Sequence, residues 1–314
     1  MFATLLGSLP RPPLPPDARP EELLVAVVRA QEAAGLEPVT DGGFGIGDSA
    51  VERWRATAAL TDRPVKQALL GPFSAGQAAA RAGGGHEDAD PMAPPDAGAW
   101  TEAALAAAET LRADLLALAA AGCPFIEIHE PEAIEIGTDE GRRSLFRDAH
   151  RRLLDGVAGA HLSLAITGGN ADAAGPDTLL AAPYASLAVD LIAGPENWQL
   201  VVATPGERGI VCGALSAERD SDDRPEVLIW AAGYASSTGG RGSSRVGLAS
   251  ASSLAGLPWE VALRKLAILG EAARLADLPA RERRLQLDPR AVDIRSAALG
   301  RYEPRPTRPR RQRP

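Results

Sequence analysis

Thiols and lysines are scarce in this chain of 314 residues. Cys123 and Cys212 are its two cysteines, and their spacing fits neither a disulfide framework nor a metal-binding pair. Each adjoins a predicted strand, where a buried free thiol is the ordinary state. Lys66 and Lys265 are the two lysines, against heavy use of alanine, arginine and proline, which speaks of a GC-rich genome more than of a function. No run of about 18 apolar residues occurs, which excludes a helical membrane span. The first residues, Met1-Phe2-Ala3-Thr4, lack the basic start of a secretory leader, so the expected compartment is the cytoplasm. Positive charge is in deficit, with 33 Lys and Arg against 41 Asp and Glu and a net charge of −8; nucleic acid is therefore not an expected partner. What remains, 45% hydrophobic and 24% charged residues, is a globular composition able to fill one large core or two small ones.

The most informative stretch is 125–135. Phe125, Ile126 and Ile128 read as a strand, preceded by the break Gly122-Cys123-Pro124 and stopped by Pro131. It ends in four ionisable side chains, His129, Glu130, Glu132 and Glu135. A buried strand opening into packed charge is the form of an active-site rim in an α/β protein, where ligands sit at the carboxyl ends of strands. The plainer reading is a solvated acidic turn.

The rest of the chain repeats a strand-then-helix rhythm. Strands are predicted over 2–7, 36–40, 65–70, 125–129, 161–167, 187–193, 210–215 and 245–249, with helices between them and a final amphipathic helix over 258–275. Residues 83–98 read as a Gly/Pro-rich insertion, with the option of a lid, and 288–314 as an Arg/Pro-rich, disordered tail. Eight such units over residues 1–287 predict a single (β/α)8 TIM-type barrel, with a doubly wound open sheet as runner-up. The glycines of 42–47 lack dinucleotide spacing. The strand ends bring forward Ser8, Asp41, Gly71-Pro72, His129-Glu130, Asn170, Glu196, Ser216 with Glu218, and Ser250 to Ser253.

Five of these ends carry motifs. Leu6-Gly7-Ser8-Leu9-Pro10-Arg11, Thr61-Asp62-Arg63-Pro64-Val65-Lys66 with Leu70-Gly71-Pro72, Ile126-Glu127-Ile128-His129-Glu130-Pro131, His161-Leu162-Ser163 with Gly169-Asn170, and Ser252-Ser253-Leu254 with Pro258 and Lys265 together resemble the catalytic domain of the cobalamin-independent methionine synthase family, in its short, single-barrel form. The resemblance spans most of residues 1–276. It implies a methyltransferase that moves a methyl group from a methylated tetrahydrofolate to homocysteine, the thiol being activated by zinc on His, Cys, Glu and Cys.

The sequence departs from that pattern where the thiol binds. By the resemblance His161 is the one retained zinc ligand, while the cysteine positions are Ser163 and Ser252, whose hydroxyls are poor zinc ligands at neutral pH, so zinc is not expected as a resident group. The ligand glutamate falls near Pro195, with Glu196 beside it. Asp41-Gly42-Gly43 and His129 stand where the family has carboxylates for the substrate amino group. Ser8, Asp41, Glu130 and Glu135 are retained, with Glu135 at a pterin-contacting position; Ser8, Asp41, Glu135 and Asn170 are the expected substrate-binding set. His129, Glu130, His161 and Glu218 are the expected metal-free acid/base cluster, with His129 as base. This favours a methyltransferase with a small-molecule acceptor other than homocysteine. The alternatives are a true homocysteine methyltransferase with an unrecognised zinc site, and a binding module that kept the fold and lost the chemistry. Plainer roles compete at single residues: His161 as a satisfied core histidine, Ser252 and Ser253 as a polar loop, His86 and His150 as bystanders, and the arginines of the helix over 139–157 as a solvated face.

Overall fold

The computed structural model describes residues 1–83 and 96–287. Seven strands, β1 (Phe2–Thr4), β2 (Lys66–Leu70), β3 (Phe125–His129), β4 (His161–Ile166), β5 (Ser186–Asp190), β6 (Gly209–Leu215) and β7 (Val246–Ser250), form one sheet in the order β1-β7-β6-β5-β4-β3-β2. Every neighbouring pair is parallel. The crossovers carry helices α1 (Pro20–Ala34), α2 (Ala50–Ala58), α3 (Pro72–Gly83), α4 (Ala97–Ala120), α5 (Glu140–Leu154), α6 (Pro176–Leu179), α7 (Trp198–Ala203) and α8 (Pro225–Ser237), and α9 (Trp259–Ala276) and α10 (Ala280–Gln286) follow β7. Parallel strands joined by helices put apolar surface on both faces of the sheet.

The predicted strand over 36–40 is corrected to two single bridges, Ala3 with Glu37 and Val39 with Val65. Glu37 N–H donates to the Ala3 carbonyl at 2.7 Å, and Lys66 N–H to the Val39 carbonyl at 2.8 Å. Between them Pro38 has no N–H to give, which prevents a continuous ladder. The first strand is also shorter than 2–7. At Leu6 a side chain substitutes for the ladder: Ser250 Oγ accepts from Leu6 N–H and donates to the Leu6 carbonyl, both at 3.1 Å. The insertion predicted over 83–98 and the tail over 288–314 fall largely or wholly outside the described residues; Gly83 closes α3, and Asp96 caps α4 by accepting from Ala99 N–H.

Two apolar clusters flank the sheet. The concave face encloses a small one, Leu6, Ala165, Ala188, Val211 and Ala249 with Phe2 against it. The register confirms a shared face, since Ala165 pairs with Ala188 and Ala188 with Val211. The convex face joins the main core with the helices, where Ile126 and Ile128 of β3 are fully buried beside Phe73, Trp100 and Phe146. Burying one such isoleucine stabilises by about 2 kcal/mol. Alternation along β3 therefore sends Phe125, Glu127 and His129 inward and Ile126, Ile128 and Glu130 outward.

Candidate active site

That alternation decides the roles of the charged residues. Lys66 pairs with Phe125 and Ser163 with Glu127 in register, so Lys66, Glu127, His129 and Ser163 share the inner face. A charge placed there must be matched. Glu127 Oε1 lies 2.8 Å from Lys66 Nζ and 2.7 Å from His129 Nε2. Lys66 Nζ also donates to the Leu5 carbonyl at 2.9 Å. Lys66 and Glu127 are shut off from solvent, while His129, last in its strand, is 16% exposed. Burial raises the Glu127 pKa, but the charge of Lys66 and the bond to His129 reverse this and hold the carboxyl at about 2. Burial draws the Lys66 pKa down, opposed by the charge of Glu127. Two atoms of this layer, Glu127 Oε2 and Ser163 Oγ, are buried without a hydrogen-bond partner.

Glu130 faces the other way. Its carboxylate accepts from Phe73 N–H at 3.0 Å, from Ser74 N–H at 2.8 Å and from Ser74 Oγ–H at 2.6 Å, at the start of α3. A carboxylate on exposed helix N–H groups satisfies donors the helix leaves unpaired and suits the positive end of its dipole. A Cβ at Gly71 would fall 2.1 Å from Glu130 Oε1, so only glycine admits this approach. His150 Nε2 stands 3.1 Å from Glu130 Oε1, at ion-pair distance but without hydrogen-bond alignment. His150 Nδ1 is 2.6 Å from the Tyr184 hydroxyl. Burial, and then the charge of Glu130, hold that phenol well above the usual range. The expected catalytic role of Glu130 is thus corrected: it is a fully buried helix cap. His150, read as a bystander, is a buried part of the same network.

His161 is corrected more sharply. It opens β4, whereas His129 closes β3. Its ring stacks on Phe125 at a centroid distance of 4.5 Å, and Nε2 is 2.8 Å from Ser186 Oγ. With Phe2, Phe125 and Ser186 it lines a cavity of about 1300 Å³ at the amino-terminal ends of the strands. Burial holds its pKa below the usual value. It therefore belongs to the opposite mouth of the sheet from His129.

The remaining candidates do sit at carboxyl ends. Ser8 N–H donates to Ser253 Oγ at 3.2 Å, Leu254 N–H to the Ser8 carbonyl at 2.9 Å, and a Cβ at Gly43 (φ +85) would meet Ser8 Oγ at 2.5 Å. Asp41 Oδ1 accepts from Gly43 N–H at 2.9 Å. Ser8, Asp41 and the loop carrying Ser252 and Ser253 thus form one group beside β1. Glu135 ends a 3-10 turn over Pro131–Glu135 and accepts from Gln77 Nε2–H at 2.7 Å. Its neighbour Glu132 is raised above the usual carboxyl range, first by burial and then by a hydrogen bond to Glu135. Asn170 Oδ1 accepts from Glu196 N–H at 2.9 Å, tying the loops after β4 and β5. Glu218 is exposed in the loop after β6, which is pinned beneath by buried Asp223 and Lys265. Sequence reasoning passed over Lys66 and Glu127; their signal was a charge at an inward position in each of two strands rich in apolar residues.

The donors named for zinc do not converge. His161 lies at the far mouth, Ser163 Oγ is sealed in the interior, and Ser252 follows β7, with β5 and β6 between β4 and β7. Burial pushes the Cys123 thiol up to about 11 and the Cys212 thiol to about 12, so neither offers a thiolate at neutral pH. Among the described residues no group of three or more His, Cys, Asp and Glu could hold a metal ion. The residues do not fit zinc.

No family model matches the chain. Two 5-methyltetrahydropteroyltriglutamate–homocysteine methyltransferases, from Rhodopseudomonas palustris strains TIE-1 and ATCC BAA-98 / CGA009, are each 28% identical over 212 residues, covering 60% of this chain and 25% of their own length. The fold carries the comparison further. A B12-independent methionine synthase from Shewanella sp. W3-18-1, in complex with selenomethionine, superposes with a TM-score of 0.67 over 91% of this chain and 99% of its own, at 15% identity. In fold, and more weakly in sequence, the chain is similar to the cobalamin-independent methionine synthases. A methyltransferase from Methanosarcina mazei gives a TM-score of 0.58 at 13% identity over 87% of this chain and 93% of its own. This methionine-synthase-like chain spans about a quarter of the length of the curated relatives it matches. Among the described residues no helix is long and apolar enough to cross a membrane.

Proposed function

We propose that this chain is a methyltransferase that takes its methyl group from a methylated tetrahydrofolate and passes it to a small protic acceptor other than homocysteine. In this reading segment 36–40 takes the eighth place of a (β/α)8 barrel, and the site is its carboxyl-terminal mouth. The observation that carries it is His129: an imidazole at the end of β3, backed at 2.7 Å by a buried carboxylate. A neutral imidazole so placed is a general base for a weakly acidic N–H, O–H or S–H group. His129 takes the acceptor's proton, the acceptor atom bonds to the methyl carbon, and the carbon–nitrogen bond to the folate breaks with its electron pair left on nitrogen. That nitrogen takes up one proton, and the donor assigned to it is Glu132 in the same loop, whose pKa burial and the hydrogen bond with Glu135 raise above the usual carboxyl value. Glu135, Asp41, Ser8 and Asn170 hold the pterin and acceptor by hydrogen bonds. The curated relatives, by their names, use such a folate, which supports the donor. The departure at His129 and the mismatch with zinc support a different acceptor.

Calorimetric titration with 5-methyltetrahydrofolate, followed by transfer assays against thiol, amine and hydroxyl acceptors, tests this. Micromolar binding and transfer to at least one acceptor are expected. Binding without transfer to any of them moves the protein to the class of binding modules, and absence of both removes the folate assignment.

A further inference from the structure

We propose that Lys66 and Glu127 are a positioning pair that keeps His129 as the neutral Nε2–H tautomer, leaving Nδ1 as the atom that receives the substrate proton. This rests on the reading of His129 as the base and adds which atom acts and what holds it. Three observations carry it. First, one oxygen, Glu127 Oε1, serves both Lys66 Nζ at 2.8 Å and His129 Nε2 at 2.7 Å. An ammonium group only donates and a carboxylate oxygen only accepts; a bare Nε2 would set two lone pairs against each other. Nε2 therefore carries the hydrogen. Second, the local charge is already balanced, since Lys66 and Glu127 are both sealed from solvent and cancel. With the carboxylate already matched by an ammonium, a single ring hydrogen on Nε2 completes the contact, and Nδ1 is the nitrogen left to accept. Third, the carboxylate cannot swing away: Lys66 is anchored on its other side by the Leu5 carbonyl at 2.9 Å. Nδ1 makes no hydrogen bond to a described residue, and His129 keeps the exposure that Glu127 lacks. The arrangement has the logic of a carboxylate–imidazole pair in which the carboxylate selects the tautomer and orients the ring.

The chain holds four histidines, few enough to resolve by long-range proton–nitrogen correlation of uniformly ¹⁵N-labelled full-length protein near pH 8, with His129 assigned by its loss in His129→Gln. The expected spectrum shows a protonated Nε2 and a bare Nδ1 on His129. In the double variant Lys66→Met/Glu127→Leu, which removes both charges together, the two nitrogens are expected to move toward the tautomeric average while the His150 signals stay in place and report an intact fold. An Nδ1–H tautomer or a doubly protonated ring in the wild type would overturn the proposal, as would an unchanged His129 pattern in the double variant. If the double variant does not fold, the wild-type tautomer still decides. The spectrum needs no turnover, so a protein that transfers no methyl group can still show the tautomer. Where transfer is measured, the double variant is expected to lower kcat by roughly tenfold to a hundredfold with KM little changed; an unaltered kcat also counts against the pair.

Discussion

The Lys66–Glu127 pair makes the firmest quantitative prediction. At a separation of 2.8 Å, an effective dielectric constant of about 20 gives an attraction of ~6 kcal/mol before the cost of removing both ions from water. Both side chains are fully buried, so that cost is of similar size and the pair contributes little net stability. Removing one partner is another matter, because the survivor keeps its desolvation penalty. Glu127→Leu leaves the Lys66 ammonium with the Leu5 carbonyl alone, and Lys66→Met leaves a buried carboxylate with His129 as its partner. Each single variant is expected to lose about 3–5 kcal/mol, and the double variant Lys66→Met/Glu127→Leu to stay within about 1–2 kcal/mol of wild type. Guanidinium unfolding of the four proteins, with unchanged m-values as the check on two-state behaviour, measures this. Single losses below about 1 kcal/mol, or a double loss equal to their sum, would refute the reasoning. Acid gives an independent view. The folded-state pKa of Glu127 is depressed from 4.5 to about 2, so its contribution is present above the unfolded value and is lost as pH falls from about 4.5 toward 2. A shift of that size corresponds to about 3 kcal/mol, which Glu127→Leu should not show.

Three further substitutions separate structure from chemistry. Glu130→Gln is expected to cost about 2–3 kcal/mol in thermal or chemical unfolding, because an amide cannot accept from Phe73 N–H, Ser74 N–H and Ser74 Oγ–H together; a stable protein with abolished turnover would return Glu130 to catalysis. His161→Phe preserves the stack on Phe125 and is expected to leave methyl transfer within about twofold, since His161 opens toward the amino-terminal cavity; a hundredfold loss would contradict its placement. Ser163→Ala removes a buried hydroxyl with no partner and is expected to be neutral or to stabilise by about 1 kcal/mol, whereas a loss of 2 kcal/mol or of activity would show that the hydroxyl is engaged.

Much of the architecture was legible in the sequence. β3 was read with its observed ends because its apolar run is bounded by Gly122-Cys123-Pro124 on one side and Pro131 on the other. Segment 36–40 was misread because its hydrophobic pattern is strand-like while Pro38 removes the donor that a ladder needs. The site was less legible. His129 and Glu130 are adjacent in a strand and so cannot face the same way, which consigns one of them to the helix layer. His161 heads its strand, so a motif that placed it at the carboxyl-terminal mouth conflicted with strand direction. Lys66 and Glu127 were visible as charges within strands rich in apolar residues, but only the register shows that they meet. Which oxygen His129 shares, and with what, is a property of three strand positions and two rotamers that no spacing encodes.

The measurement that tests the account most directly pairs His129→Gln with the wild type in two assays, calorimetric binding of 5-methyltetrahydrofolate and methyl transfer to whichever acceptor the wild type uses. The account predicts folate affinity within about threefold of wild type and transfer reduced by at least about a hundredfold. Transfer at the wild-type rate in His129→Gln would contradict it.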